Sequence, residues 1–232
     1  MNHPQLPLGL ALRASARFAD FHAGRNGELV TTLQQAVAGS GERYVYLSGA
    51  AGLGKTHLLQ AACRQAAEAG RSAAYLPLGD RSGLAPAVLG GLEQLMLVCL
   101  DDVDALAGDA DWERGVFDLF NRVRAAGTTL LAAGRARPDT AGFTLPDLAS
   151  RLAWGAAYVL KPLTEAEVLA ALVQRARARG LELPAGTARF LITRLPRDLA
   201  TAFDLLDRLD EASMIEQRRL TVPFVKSVLG LD

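Results

Sequence analysis

Apolar residues fall into two recurring patterns along this chain. Short unbroken runs occur at Tyr44-Val45-Tyr46-Leu47, Ser72 to Leu78, Leu95 to Leu100, Thr128 to Ala133 and Ala156 to Leu160. Runs of this length bounded by Ser, Gly or Asp predict strands buried on both faces. Between them lie stretches with apolar residues three and four apart: about 27–40 (Leu29, Leu33, Ala36, Val37), Thr56 to about Ala69, and Trp112 to about Ala125. That spacing predicts helices. Strands alternating with helices imply βαβ crossovers, hence an α/β fold: a parallel sheet with helices on both faces. After Pro162 the pattern becomes wholly helical, over about 164–179, 187–194, 198–211 and from 222. The chain therefore divides into residues 1–25 as an N-terminal tail, 26–162 as the sheet domain and 163–232 as a small all-helical domain.

Composition narrows the class. The 232 residues are 50% hydrophobic and 22% charged, enough to bury a substantial core and too apolar for a disordered chain. Lys and Arg number 25 against 25 Asp and Glu, so there is no basic excess of the kind that marks a stand-alone DNA-binding domain. No apolar run is long enough to span a membrane, and the first residues do not read as a signal peptide. Cys63 and Cys99 fall in different elements and read as buried, reduced thiols of a cytoplasmic protein. Three histidines, His3, His22 and His57, have no paired spacing and define no zinc site.

Two motifs carry the chemistry. Gly49-Ala50-Ala51-Gly52-Leu53-Gly54-Lys55-Thr56 fits G-x-x-x-x-G-K-T between a buried strand and a helix. In such a loop the glycines turn backbone N–H groups toward phosphates and the helix N-terminus adds positive potential. Lys55 reaches the β- and γ-phosphates of ADP or ATP, and the Thr56 hydroxyl binds Mg. Met96-Leu97-Val98-Cys99-Leu100-Asp101-Asp102 reads as a Walker B strand, with Asp101 holding Mg through water and Asp102 orienting the attacking water. The alternative is an Asp-rich turn capping the next helix. Asp104 and Asp109 read as solvated loop acids. Trp112 and Trp154 read as packing or interface residues, and Arg175, Arg177 and Arg179 as a solvated helix face.

The runs Gly52-Leu53-Gly54-Lys55-Thr56-His57-Leu58-Leu59 and Leu100-Asp101-Asp102-Val103 resemble the nucleotide-binding core of DnaA, the bacterial replication initiator. Phe18-Ala19-Asp20-Phe21, with Gly24, Asn26 and Glu28, resembles the stretch bordering the adenine pocket in that family. Gln5-Leu6-Pro7-Leu8, Leu148-Ala149-Ser150-Arg151-Leu152-Ala153-Trp154-Gly155 and Thr221-Val222-Pro223-Phe224-Val225-Lys226 resemble the Hda family, DnaA-homologous AAA+ regulators that inactivate the initiator. The resemblance runs over nearly the whole chain and implies an AAA+ P-loop sheet followed by a helical lid. It implies DnaA and the DNA polymerase sliding clamp (beta subunit) as partners, with Gln5, Leu6, Leu8 and Leu10 as clamp anchors and homo-oligomers as a possibility. It also makes Arg151 an arginine finger acting in trans. Without the resemblance, Arg151 reads as a surface arginine or an ion-pair partner of Asp147. The chain stops at Asp232, without the initiator's helix-turn-helix domain, so no direct sequence-specific DNA binding is expected.

Two positions depart from the AAA+ pattern. Arg135 occupies the place of the polar sensor after the fourth strand, and an arginine cannot accept a hydrogen bond from water. In the lid, Ala200 stands where an arginine is expected, with Arg197 close to one turn away on about the same face. Weak self-hydrolysis and a resting ADP follow from these changes. The alternatives are an autonomous ATPase of helicase-loader or remodelling type, and an adaptor that uses nucleotide only to fold.

Overall fold

The computed structural model describes residues 16–194 and 199–231. Five strands, β1 (Tyr44–Ser48), β2 (Ala73–Pro77), β3 (Leu97–Asp101), β4 (Thr129–Gly134) and β5 (Ala156–Val159), form one parallel sheet in the order β2-β3-β4-β1-β5. The register sets Ser48 of β1 beside Gly134 of β4 and Val159 of β5, so these three strands end together. The sheet is covered on both sides, and the period of two along each strand decides which residue goes where. Val45, Leu47, Leu97, Cys99, Leu131 and Ala133 pack under α1 (Gly27–Ala38) and α2 (Lys55–Glu68). Their neighbours Tyr46, Val98, Leu100, Leu130 and Ala132 pack under α3 (Ala110–Ala126) and α4 (Pro146–Leu152).

The α/β architecture expected from the alternating runs is present, with strand limits shifted by at most a few residues. Helix α4 does not emerge from periodicity. It has seven residues, starts with Pro146 at its first position and buries only Leu148 and Leu152, so its apolar stripe is too short to read. Residues 16–26 lie against the sheet unit: Ala16, Phe18 and Asn26 are buried, and Phe18 joins the core under α1 and α2.

The chain divides into two compact units, the first ending at Leu160 and the second beginning at Lys161. The second unit contains α5 (Glu165–Ala178), α6 (Ala185–Arg194), α7 (Leu199–Glu216) and α8 (Val222–Leu229) around Leu172, Ala188, Leu206, Leu209, Phe224 and Val225. A reciprocal capping box starts α5: the Thr164 hydroxyl accepts from the Glu167 N–H, and the Glu167 carboxylate accepts from the Thr164 N–H. The arginines expected on a solvated face of α5 are partly engaged within this unit. Arg179 pairs with Asp207 at 2.6 Å, and the Arg175 guanidinium lies 5.2 Å from the Phe203 ring.

Candidate functional site

At the carboxyl end of β1 the backbone swings through Gly49, Gly52 and Gly54, the last two with φ of 80° and 93°, and enters α2 at Lys55. Gly54 cannot be replaced without cost. Its φ is left-handed, and a Cβ there would sit 2.8 Å from the Phe21 ring. Lys55 is only 6% exposed, and its ammonium donates to the carbonyls of Gly49 and Ala50 at 2.6 and 2.9 Å. Burial lowers the Lys55 pKa from its ordinary value; Asp101, Asp102 and Asp104 oppose that change. Thr56 is exposed in the first turn of α2.

The carboxylates cluster where β3 ends. Asp101 is 1% exposed and accepts the Tyr75 hydroxyl at 2.8 Å and the Asp102 N–H at 3.1 Å. Tyr75 reaches it from β2, where it is in register with Cys99. Burial and the neighbouring Asp101 hold the Tyr75 phenol neutral, with its pKa well above the usual value. Asp102 has a φ of 52°, a conformation that Asp tolerates better than most residues. Burial, then the charges of Asp101 and Asp104, raise its pKa. Gly79 makes room for it: a Cβ there would meet the Asp102 carboxylate at 2.9 Å.

Asp104 is not the free loop acid expected; its carboxylate accepts the Arg135 N–H at 3.0 Å and bears on buried Tyr46. Asp109 likewise caps α3 by accepting the Trp112 N–H, and pairs with Arg81 at 3.3 Å. Arg135 follows Gly134, hence at the level of the phosphate loop, and its charge acts on both Lys55 and Asp102.

This end of the sheet suits a nucleotide polyphosphate. It combines a glycine turn, a helix N-terminus and a lysine with donors to offer. The Thr56 hydroxyl and the Asp101 carboxylate are the oxygen donors that Mg prefers. Phe21 borders the loop at Gly54, while Phe18 is buried in the core under α1 and α2. The Phe21 ring lies 5.9 Å from that of His57, and His57 Nε2 makes a 2.8 Å hydrogen bond with the Arg17 carbonyl, tying this segment to the first turn of α2. Leu53 packs against the same core. Gln5, Leu6, Leu8, Leu10 and Arg197 lie outside the described residues.

Arg151 lies elsewhere. It ends α4 just before β5 begins, toward the amino end of the sheet, and Gly155 packs on the Tyr44 carbonyl at the start of β1. Between Tyr44 and Gly49 the strand advances about 16 Å, from five steps of roughly 3.3 Å. Arg151 and the phosphate loop of one chain therefore occupy opposite ends of the sheet. Its guanidinium is 5.4 Å from the Trp154 ring and 6.0 Å from the Phe117 ring. Among the described residues it has no ion pair, and the pairing with Asp147 does not form.

One structural residue escaped the sequence reading. Glu113, 0% exposed, accepts N–H groups from Gly108 (2.8 Å), Thr144 (3.0 Å) and Leu145 (2.7 Å), and the Thr144 hydroxyl at 2.9 Å. Burial alone would raise its pKa, but these donors outweigh burial and hold it below the usual value. Glu113 thereby fastens the residues that lead into α4. The signal was available: Glu113 stands in the same stripe as Val116, Phe120 and Val123, where a charge needs a reason.

Residues 165–229 match the family model described as "Hda, lid domain". The fold is that of AAA+ domain III of DnaA. Domain III from the Thermotoga maritima replication initiation protein DnaA superposes with a TM-score of 0.81 at 19% identity, covering 95% of this chain and 98% of that one. AMPPCP-bound DnaA from Aquifex aeolicus gives 0.71 at 22% identity, over 82% of this chain and 64% of that one. The Thermotoga maritima RuvB Holliday junction branch migration motor gives 0.68 at 16% identity, over 93% and 73%. No helix among the described residues is long and apolar enough to cross a membrane.

Proposed function

We propose that this Hda-like, DnaA-homologous AAA+ protein regulates replication initiation by binding an adenine nucleotide at its own phosphate loop and offering Arg151 to ATP held by DnaA. The observation that carries the reading is the separation of the two sites. Arg151 lies at the amino end of the sheet and the Gly49–Thr56 loop at its carboxyl end, which supports a role for this arginine at a nucleotide on another molecule rather than at its own. Opposed sites of this kind suit head-to-tail contact, in which one protomer's arginine meets its neighbour's phosphates.

On this chain, Gly49, Gly52, Gly54 and Lys55 hold the phosphates, and Leu53, His57, Phe18 and Phe21 border the adenosine. Thr56 and Asp101 would hold Mg, which when bound would neutralise phosphate charge. Asp102 orients water. With Arg135 and Ala200 at the sensor positions, ADP is the resting ligand and self-hydrolysis is weak.

On DnaA, the oxygen of water bonds to the γ-phosphorus as the bond to the β–γ bridging oxygen breaks, giving ADP and inorganic phosphate with the water's proton passing to phosphate or solvent, and the Arg151 guanidinium offsets charge on the bridging and γ-phosphoryl oxygens. DnaA is left with ADP, the inactive form. Gln5, Leu6, Leu8 and Leu10 dock the protein on the sliding clamp through an apolar pocket, a mode suited to a short peptide that orders on binding. The protein then acts in the cytoplasm, on DNA-loaded clamp, without reading sequence itself.

The test is ATP hydrolysis by DnaA, measured with and without this protein, DNA-loaded clamp and ADP. Stimulation is expected, and Arg151→Ala should remove it by two orders of magnitude or more, on the scale of arginine fingers supplied in trans, while nucleotide and clamp binding persist. Turnover that is already full without DnaA would instead identify an autonomous ATPase. Substituting Gln5 and Leu6 by alanine should abolish co-elution with the clamp.

A further inference from the structure

We infer that Trp154, fixed by Arg124, is a positioning residue that holds the Arg151 guanidinium in place without neutralising it; the inference rests on the reading of Arg151 as the residue offered to the partner's ATP. Trp154 is 51% exposed, which is unusual for the largest apolar side chain in a unit that buries its other tryptophan, Trp112, to 5%. Core packing does not explain its position.

Three features hold Trp154 where it is. The Arg124 guanidinium lies 4.1 Å from its ring centroid, within stacking contact, and comes from the last turn of α3. The Trp154 N–H donates to the Arg151 carbonyl at 3.1 Å, closing the end of α4. Gly155 follows, and a Cβ on it would run into the Tyr44 carbonyl, so the chain after Trp154 lies tight on β1. Phe117 completes the setting, 6.0 Å from Arg151 on its other contact and 5.8 Å from Arg114.

The chemistry of the contact matters. A carboxylate beside Arg151 would fix the guanidinium equally well, but would consume its N–H donors and cancel its charge. An aromatic face attracts the cation through its quadrupole and takes none of the in-plane donors. Asp147 is on the same helix and forms no ion pair with Arg151 among the described residues. Arg151 is therefore held by rings and keeps both its charge and its fork of donors for a polyphosphate.

The experiment measures DnaA-bound ATP hydrolysis as a function of the concentration of this protein, so that maximal rate and half-saturation are read separately. Trp154→Ala should lower the maximal rate about tenfold, the scale of a modest misplacement of a catalytic group, with half-saturation unchanged. Trp154→Phe, which keeps a ring, should recover most of that loss. Arg124→Gln should lower the maximal rate about twofold to threefold, in keeping with an exposed cation–π contact. The thermal midpoint of Trp154→Ala, measured alongside, should match the parent. A maximal rate left intact by Trp154→Ala, whatever happens to half-saturation, overturns the inference. So does a Trp154→Phe variant no better than Trp154→Ala. Arg151→Ala in the same assay keeps the two ideas apart. If it leaves hydrolysis intact, the reading of Arg151 itself fails. If it abolishes hydrolysis while Trp154→Ala does not, only the positioning role fails.

Discussion

The two ends of the parallel sheet handle charge in opposite ways. At the carboxyl end, Lys55 and Asp101 are almost fully buried, with Asp102 and Asp104 beside them, and the charges of these neighbours act on the pKa values of Lys55 and Asp102. Toward the amino end, Arg151 lies within about 6 Å of two aromatic rings with no counter-ion among the described residues. The first arrangement suits gripping a charged ligand from several sides. The second suits presenting one charge outward. A single fold thus separates holding from offering, and the roughly 16 Å of strand between them prevents the one from serving the other within the same chain.

The comparison is broken most severely at Glu113, which fastens the residues that lead into α4, the helix that ends in Arg151. Glu113→Ala leaves three backbone donors and a hydroxyl without their acceptor, and should cost about 3 kcal/mol of stability, since buried polar groups left unpaired cost roughly 1–3 kcal/mol each and some regain water. A urea titration measures it, and Glu113→Gln should cost less because one acceptor remains. The holding end is broken by Lys55→Ala. On the proposed reading Lys55 reaches two phosphates, so nucleotide affinity should fall about a hundredfold, read by fluorescent-nucleotide titration with the fold intact.

A finer test contrasts two carboxylates by pH. The Glu113 pKa is depressed in the folded state relative to its ordinary 4.5. Its contribution is present above that value and is lost as pH falls through the lower, folded one. The Asp102 pKa is raised from its ordinary 3.8. The stability associated with protonated Asp102 is complete below that value and lost as pH rises through the higher, folded one. Asp102→Asn removes this penalty and keeps a residue that tolerates positive φ. The variant should be more stable than the parent at neutral pH, and urea titrations at several pH values should show the gap closing toward pH 3.8.

The carboxyl end was legible in the sequence because its parts are contiguous. Gly49 to Thr56 are eight consecutive residues, and Asp101-Asp102 end a strand whose apolar run announces it. Local spacing carries that information. The amino end is assembled from residues distant along the chain: Phe117 and Arg124 from α3, Arg151 from α4, Trp154 beyond it. No periodicity connects them, so Trp154 read only as a packing or interface residue. Asp104 and Asp109 misled for the same reason. Their partners, the Arg135 N–H and Arg81, are brought to them by the fold, and an acid in a Gly- and Ala-rich loop looks solvated until those partners are known.

The Glu113 carboxylate has one more consequence, and it concerns time. The amide hydrogens of Gly108, Thr144 and Leu145 all end on the same two oxygens. None of them can meet solvent base until that carboxylate lets go. Their hydrogen–deuterium exchange should therefore proceed as a group, at a rate set by one local opening. That rate would report how often the segment leading to Arg151 comes loose in the isolated protein.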